Sequence, residues 1–175
     1  MTPYDRTPYV LTVDAGLRDL RAADHLLHSF AAELPLTEEG FGCTHLVRGE
    51  RPRVVVSLAS ESEEARDAVR AWLVAMAYEV TDGAPDAVGR AVLYRGAGLL
   101  RGTMTAGEVL SVSAIDRVTV LGSAGRPDPA ARMVTRDHVR PSWQNGELVL
   151  TAMPAAGGTL VPFEVPEPTP CCADH

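Results

Sequence analysis

Two stretches with apolar residues at helical spacing, each flanked by short runs of β-forming residues, constrain this chain more than any other feature. Tyr9-Val10-Leu11-Thr12-Val13 reads as a first strand. Asp14 and Gly16 break that pattern, and Leu17, Leu20, Leu27, Phe30, Ala31 and Leu34 then recur on one helical face, with Pro35 as the stop. Thr44 to Val47 and Arg53 to Leu58 read as two strands joined by Arg48-Gly49-Glu50-Arg51-Pro52. Val54-Val55-Val56 has no alternation, as expected of a strand covered on both faces. Ser60 and Glu63 make an S-x-x-E capping box. Behind it, Ala65, Ala68, Val69, Trp72, Leu73 and Met76 form a second amphipathic helix, and Ala91-Val92-Leu93-Tyr94 follows as a strand.

The resulting order, β-α-β-β-α-β, is that of the split-βαβ, ferredoxin-like arrangement, with two helices on one face of an antiparallel sheet. The remainder reads as mostly antiparallel β. Thr105 and Glu108 can cap a short helix through Ser113, although Val109-Leu110-Ser111-Val112 is equally a strand pattern. Arg117 to Leu121 is a strand, Ala131 to Thr135 can pair back, and Leu160 to Val165 can add an edge strand, the place that tolerates its prolines. Asn145-Gly146, ahead of Glu147-Leu148-Val149-Leu150, is a type I′ hairpin signal. The fold class expected is therefore α+β. It is one domain over residues 1–165, with a possible sub-boundary in the Gly-rich stretch Gly96 to Gly107 and a proline-rich tail over 166–175.

Composition removes several functions. All 16 basic residues are arginine and lysine is absent, which excludes Schiff-base and lysine-tethered cofactor chemistry. The scarcity of Ile, Asn and Gln beside abundant Ala, Gly, Pro, Val and Arg points to a GC-rich bacterial genome. A net charge of −7 disfavours nucleic acid as a partner. Arg48, Arg51 and Arg53 read as a solvated turn rather than an anion site. No apolar run is long enough to span a membrane, and the first fifteen residues do not resemble a secretory signal, so a cytoplasmic location is expected. Gly96-Ala97-Gly98 with Gly102 lacks the strand–loop–helix context of a phosphate loop, so no nucleotide cofactor is expected.

The tail carries the densest chemistry. Val165-Pro166-Glu167-Pro168-Thr169-Pro170 should extend as a polyproline II strut, rising about 3.1 Å per residue, and it ends in Cys171-Cys172-Ala173-Asp174-His175. Three cysteines, two of them adjacent, do not form a secreted disulfide framework. Thiolates and imidazoles are preferred by zinc and other transition metals. On a strand, Cys43 and His45 point the same way, and with Cys171 or Cys172 and His175 they would complete a Cys2His2 set. Two other uses are open: redox chemistry at the vicinal thiols, or docking of the terminus onto a partner or a second copy.

Other candidates have bland readings. His25 and His28, at i and i+3, read as surface histidines, and Asp137-His138 as a turn before Arg140-Pro141 rather than an acid–base pair. Ser57, Ser111 and Ser113 lie in no nucleophile-elbow motif. Trp143 reads as cross-strand packing, with an apolar binding surface as the other use. The function expected is an accessory or binding protein whose tail holds a transition metal, zinc foremost, and docks onto a protein partner. The alternative is a small enzyme using a tail-built site or a His/carboxylate pair.

Overall fold

The computed structural model describes residues 9–34 and 38–166. It is a mixed α/β structure with three helices and one large, mostly antiparallel sheet. Strand β1 (Tyr9–Leu17) leads to helix α1 (Leu20–Glu33), then β2 (Phe41–Val47), β3 (Arg53–Ser60), α2 (Glu63–Ala75), β4 (Glu79–Asp82) and β5 (Val88–Leu93). A 3₁₀ turn at Ala97–Leu99 precedes β6 (Thr103–Thr105), α3 (Ala106–Val112), β7 (Arg117–Val120), β8 (Arg132–Val134), β9 (Ser142–Gln144), β10 (Glu147–Ala155) and β11 (Thr159–Pro162). The sheet runs β4-β1-β3-β2-β5-β9-β10-β11-β8-β6, with β7 alongside β10. Among the described strands, only the β10–β7 and β11–β8 pairings are parallel.

Each helix begins where a side chain can take up a free amide. Asp19 accepts from the Ala22 N–H at 2.8 Å at the start of α1, and Ser62 accepts from the Ala65 N–H at 3.1 Å at the start of α2. Glu63 and Glu64 place negative charge on the first turn of α2. Thr105 and Glu108 close a reciprocal capping box on α3, which settles that segment as helix. Ala23, Leu27 and Phe30 of α1 and Val69 and Leu73 of α2 bury against Leu11, Val13, Val54, Val56, Leu58 and Val92 on one face of the sheet. Phe30 meets Trp72 and Tyr78 edge-on, at centroid distances of 5.8 and 5.2 Å, and so locks α1 to α2. The opposite face, with Phe41, Cys43, Ala59 and Ala91, is covered by Tyr94, Leu100, Val109, Ile115, Met133 and their neighbours from the second half.

Several boundaries differ from the sequence expectation. Leu17 belongs to β1, and α1 starts three residues later, behind the Asp19 cap. Ser60 is the last residue of β3, paired with Tyr9, so the α2 cap falls to Ser62. The fourth strand is Glu79–Asp82, an edge strand with Glu79, Thr81 and Asp82 exposed; a polar edge carries little β signal. Ala91-Val92-Leu93 belongs instead to β5, on the far side of β2. β11 is not at an edge: it pairs with β10 and bridges to β8, its Pro162 lying at the strand's end opposite Ala152. At the hairpin, Asn145 and Gly146 have φ of 51° and 78°, both in the positive region a type I′ turn requires.

A polar cluster ties α1 to β5 and to the segment after β11. The Arg90 guanidinium donates to Asp24 at 2.5 and 3.1 Å and to Glu164 at 2.8 and 2.6 Å. Arg140 adds bonds of 3.2 and 3.1 Å to Asp24, and the His138 imidazole lies 2.9 Å from Glu164. Burial pushes the Asp24 carboxyl up, but Arg90 and Arg140 more than offset this and hold it below its ordinary value of 3.8. Burial likewise raises Glu164, while Arg90 and His138 bring it below 4.5. Carboxylates with depressed folded values stabilise the fold above their unfolded values, and that contribution is lost as pH falls through the folded ones. Asp24→Asn should therefore lower the unfolding free energy by about 3 kcal/mol at pH 7, because it takes the carboxylate from partly buried Arg140 and leaves Arg90 with Glu164 alone as its ion-pair partner. Urea titrations should show the deficit undiminished at pH 5.5 and shrinking below about pH 4.

Candidate active site

The central strands place three polar side chains on the sheet face opposite α1 and α2. In the β2–β3 ladder Cys43 pairs with Ser57 and His45 with Val55, so strand alternation puts Cys43, His45 and Ser57 on one face. His45 Nε2 lies 2.7 Å from Ser57 Oγ, and His45 Nδ1 lies 2.9 Å from Asp86 Oδ1. A carboxylate only accepts, so the proton sits on Nδ1 and donates to Asp86, leaving the Nε2 lone pair to accept the Ser57 hydroxyl. Serine, imidazole and carboxylate thus form one hydrogen-bonded chain in the order used by Ser-His-Asp nucleophiles.

Backbone devices hold each member. Ser57 is paired on both sides, with Cys43 on β2 and Thr12 on β1, so its main chain is fixed by the ladder. The Thr12 hydroxyl donates to the Gly83 carbonyl at 2.6 Å, pinning the start of the β4–β5 loop. Further along that loop, Asp86 Oδ1 also accepts from the Val88 N–H at 3.2 Å, which orients the carboxylate. Gly89 lies directly beneath the imidazole. A Cβ there would come within 2.7 Å of Cys43 Cβ, 2.8 Å of its Sγ and 3.1 Å of His45 Cε1. Glycine is what lets Cys43 and His45 pack against β5.

The chain opens into a cleft of about 170 Å³, lined by Val10, Phe41, Trp143 and the Asn145-Gly146 turn as well as by the triad itself. The His45 side chain is 3% exposed and Asp86 49%, so the imidazole is shielded while the carboxylate meets solvent. The Cys43 thiol is driven far upward by its burial and, secondarily, by the Asp86 charge, against a smaller opposing effect of Arg90. The thiol is buried on the same face as His45 and Ser57.

Of the residues singled out from the sequence, Cys43 and His45 do share a face. His45 Nε2 and Nδ1 lie within hydrogen-bond distance of Ser57 and Asp86, and the Cys43 thiol is buried. Cys171, Cys172 and His175 lie outside the described residues, as does most of the proline-rich tail. Among the described residues, no group of three or more His, Cys, Asp or Glu side chains could hold a metal ion, and no helix is long and apolar enough to cross a membrane. His25 and His28 are exposed on α1. His138 pairs with Glu164 rather than with its neighbour Asp137, which accepts from the Gly102 N–H. Ser111 and Ser113 bond back to carbonyls of α3, at Glu108 and Val109. Trp143 packs on Phe41 with ring centroids 4.2 Å apart. No family model, curated protein or solved structure matches this chain.

Gly89→Ala should cost about 1–3 kcal/mol in thermal or chemical unfolding, as overpacking does, and should shift the His45 ring resonances, because Cys43 must move and the neighbouring imidazole must give way slightly. Peptide mapping after iodoacetamide treatment of the native protein should find Cys43 unmodified, with full modification only in denaturant.

Proposed function

We propose that the protein is a small acyl-transfer enzyme or hydrolase with Ser57 as nucleophile, His45 as general base and acid, and Asp86 as the residue that fixes the imidazole tautomer. The continuous Asp86–His45–Ser57 hydrogen-bond chain opening into an apolar-walled cleft carries this reading. Ser57 Oγ attacks the carbonyl carbon of an ester or thioester while its proton passes to His45 Nε2. The carbon–leaving-group bond then breaks, and Nε2 returns the proton to the departing oxygen or sulfur. Water, activated by the same nitrogen, adds to the acyl-serine, and loss of Ser57 Oγ releases the acid and restores the hydroxyl. The imidazolium formed in each step is stabilised by Asp86, less than by a buried carboxylate because solvent screens it. An alkyl fluorophosphonate should form a single adduct that peptide mapping places on Ser57. Ser57→Ala should abolish it, and Asp86→Asn should slow it by about 10²- to 10⁴-fold. A folded wild-type protein that stays unlabelled would overturn the proposal.

The antiparallel order β4-β1-β3-β2, with α1 and α2 on one face, supports treating residues 9–82 as a ferredoxin-like frame. A second reading concerns the tail, on the chemistry of Cys171-Cys172-x-x-His175 alone: a transition-metal or docking site at the end of a polyproline strut, in a cytoplasmic accessory protein. With Cys43 and His45 engaged in the cleft, zinc would be held by the tail without them. Elemental analysis of the purified protein and of a Cys172→Ser variant tests it: bound zinc should fall in the variant, and a metal-free wild type would sink the idea.

A further inference from the structure

A second, larger cleft of about 350 Å³ lies beside the first, lined among others by Glu38, Tyr94, Arg95 and Leu110. The two clefts have two lining residues in common, Phe41 and Trp143. These rings are in contact, with centroids 4.2 Å apart and a 35° tilt, and as the residues common to both linings they are taken as the wall between the clefts. The wall is anchored on both sides. Phe41 pairs with Ala59 at the start of the β2–β3 ladder, while Trp143 sits in β9 between Gly89 of β5 and Leu148 of β10. A closed cavity of about 150 Å³ takes one benzene, so the triad cleft has room for only about six non-hydrogen atoms. Removing the wall would join it to a space large enough for a drug-sized ligand.

We infer that Phe41 and Trp143 set the chain length the triad cleft accepts, restricting it to acyl groups of about two to four carbons. The inference rests on the acyl-transfer reading for its chemistry and on the shape of the two clefts for its selectivity. A short acyl chain fits between Val10, Phe41 and Trp143 with its carbonyl at Ser57, whereas a chain of eight carbons must displace the stacked rings. Trp143 is then a specificity-determining residue and takes no part in bond making.

Methyl ketones test this without turnover, since they present a carbonyl and an alkyl chain but have no leaving group. Wild-type protein is titrated with pentan-2-one and decan-2-one, and the Trp143 indole N–H and His45 ring resonances are followed by NMR. Pentan-2-one should shift both sets, and decan-2-one should bind at least tenfold more weakly. In Trp143→Ala the longer ketone should gain at least tenfold. Trp143→Leu, which keeps a bulky apolar residue on β9, should gain less and guards against loss of folding in the alanine variant. Equal affinity of the two ketones for wild type, no shift of the cleft resonances with either, or an unchanged ratio in a folded variant would overturn the inference. Fluorophosphonate labelling of Ser57 reports separately on the nucleophile. Unlabelled protein with the expected ketone profile would remove the chemistry and leave the size selection standing.

Discussion

The register of β5 against β2 is the constraint on which both polar clusters depend. Gly42 pairs with Leu93, Cys43 with Ala91 and Thr44 with Arg90, with an irregularity between the first two pairs. Alternation then turns Gly89 toward the His45 face and Arg90 toward α1. A slip of one residue would drive a guanidinium into the space beneath the imidazole and leave Asp24 and Glu164 facing a glycine. The β2–β5 ladder thus fixes on one face the room His45 needs and on the other the cation that holds three distant segments together.

Most buried polar side chains around this sheet have partners, the Nε of Arg117 on β7 being an exception among the described residues. Thr12, Thr44, His45, Ser57, Ser113 and Thr135 are all buried, and each side chain is hydrogen-bonded. An unpaired hydroxyl in such a place costs roughly 1–3 kcal/mol, so these contacts specify the arrangement as much as they stabilise it. Thr12 shows the logic. It faces Ser57 across the β1–β3 ladder, and its bond to Gly83 brings the loop carrying Asp86 back over the sheet.

Local signals were read well where one residue type dictates one geometry. The Asn145-Gly146 turn, the Thr105/Glu108 box and the apolar faces of α1 and α2 are all visible in the chain. Where two residues offer the same chemistry, tertiary context decides, as between Ser60 and Ser62 for the α2 cap. Half of the candidate site was legible in principle. A hairpin turning at 48–52 sets Cys43 opposite Ser57, and a polar serine and histidine within otherwise apolar strands mark a buried polar cluster. Asp86 was not, because it sits 41 residues from His45 in a Gly- and Pro-containing loop with no periodicity, and only the folded loop brings them together. The Asp24–Arg90–Glu164 cluster is hidden for the same reason, its bonds spanning 66 and 74 residues.

His45, Ser57 and Asp86 all come from the segment up to β5, while Trp143, Asn145 and Gly146 come from a short hairpin more than fifty residues further along the chain. On the acyl-transfer proposal, the reacting groups and Phe41 come from the first stretch, while the second contributes Trp143 to the selectivity of the cleft. A hairpin tip tolerates change better than a central ladder does. Drift in the β9–β10 hairpin could then retune what the cleft admits while the proton-handling machinery stays intact, so variants of this scaffold could diverge in substrate without having to rebuild their chemistry.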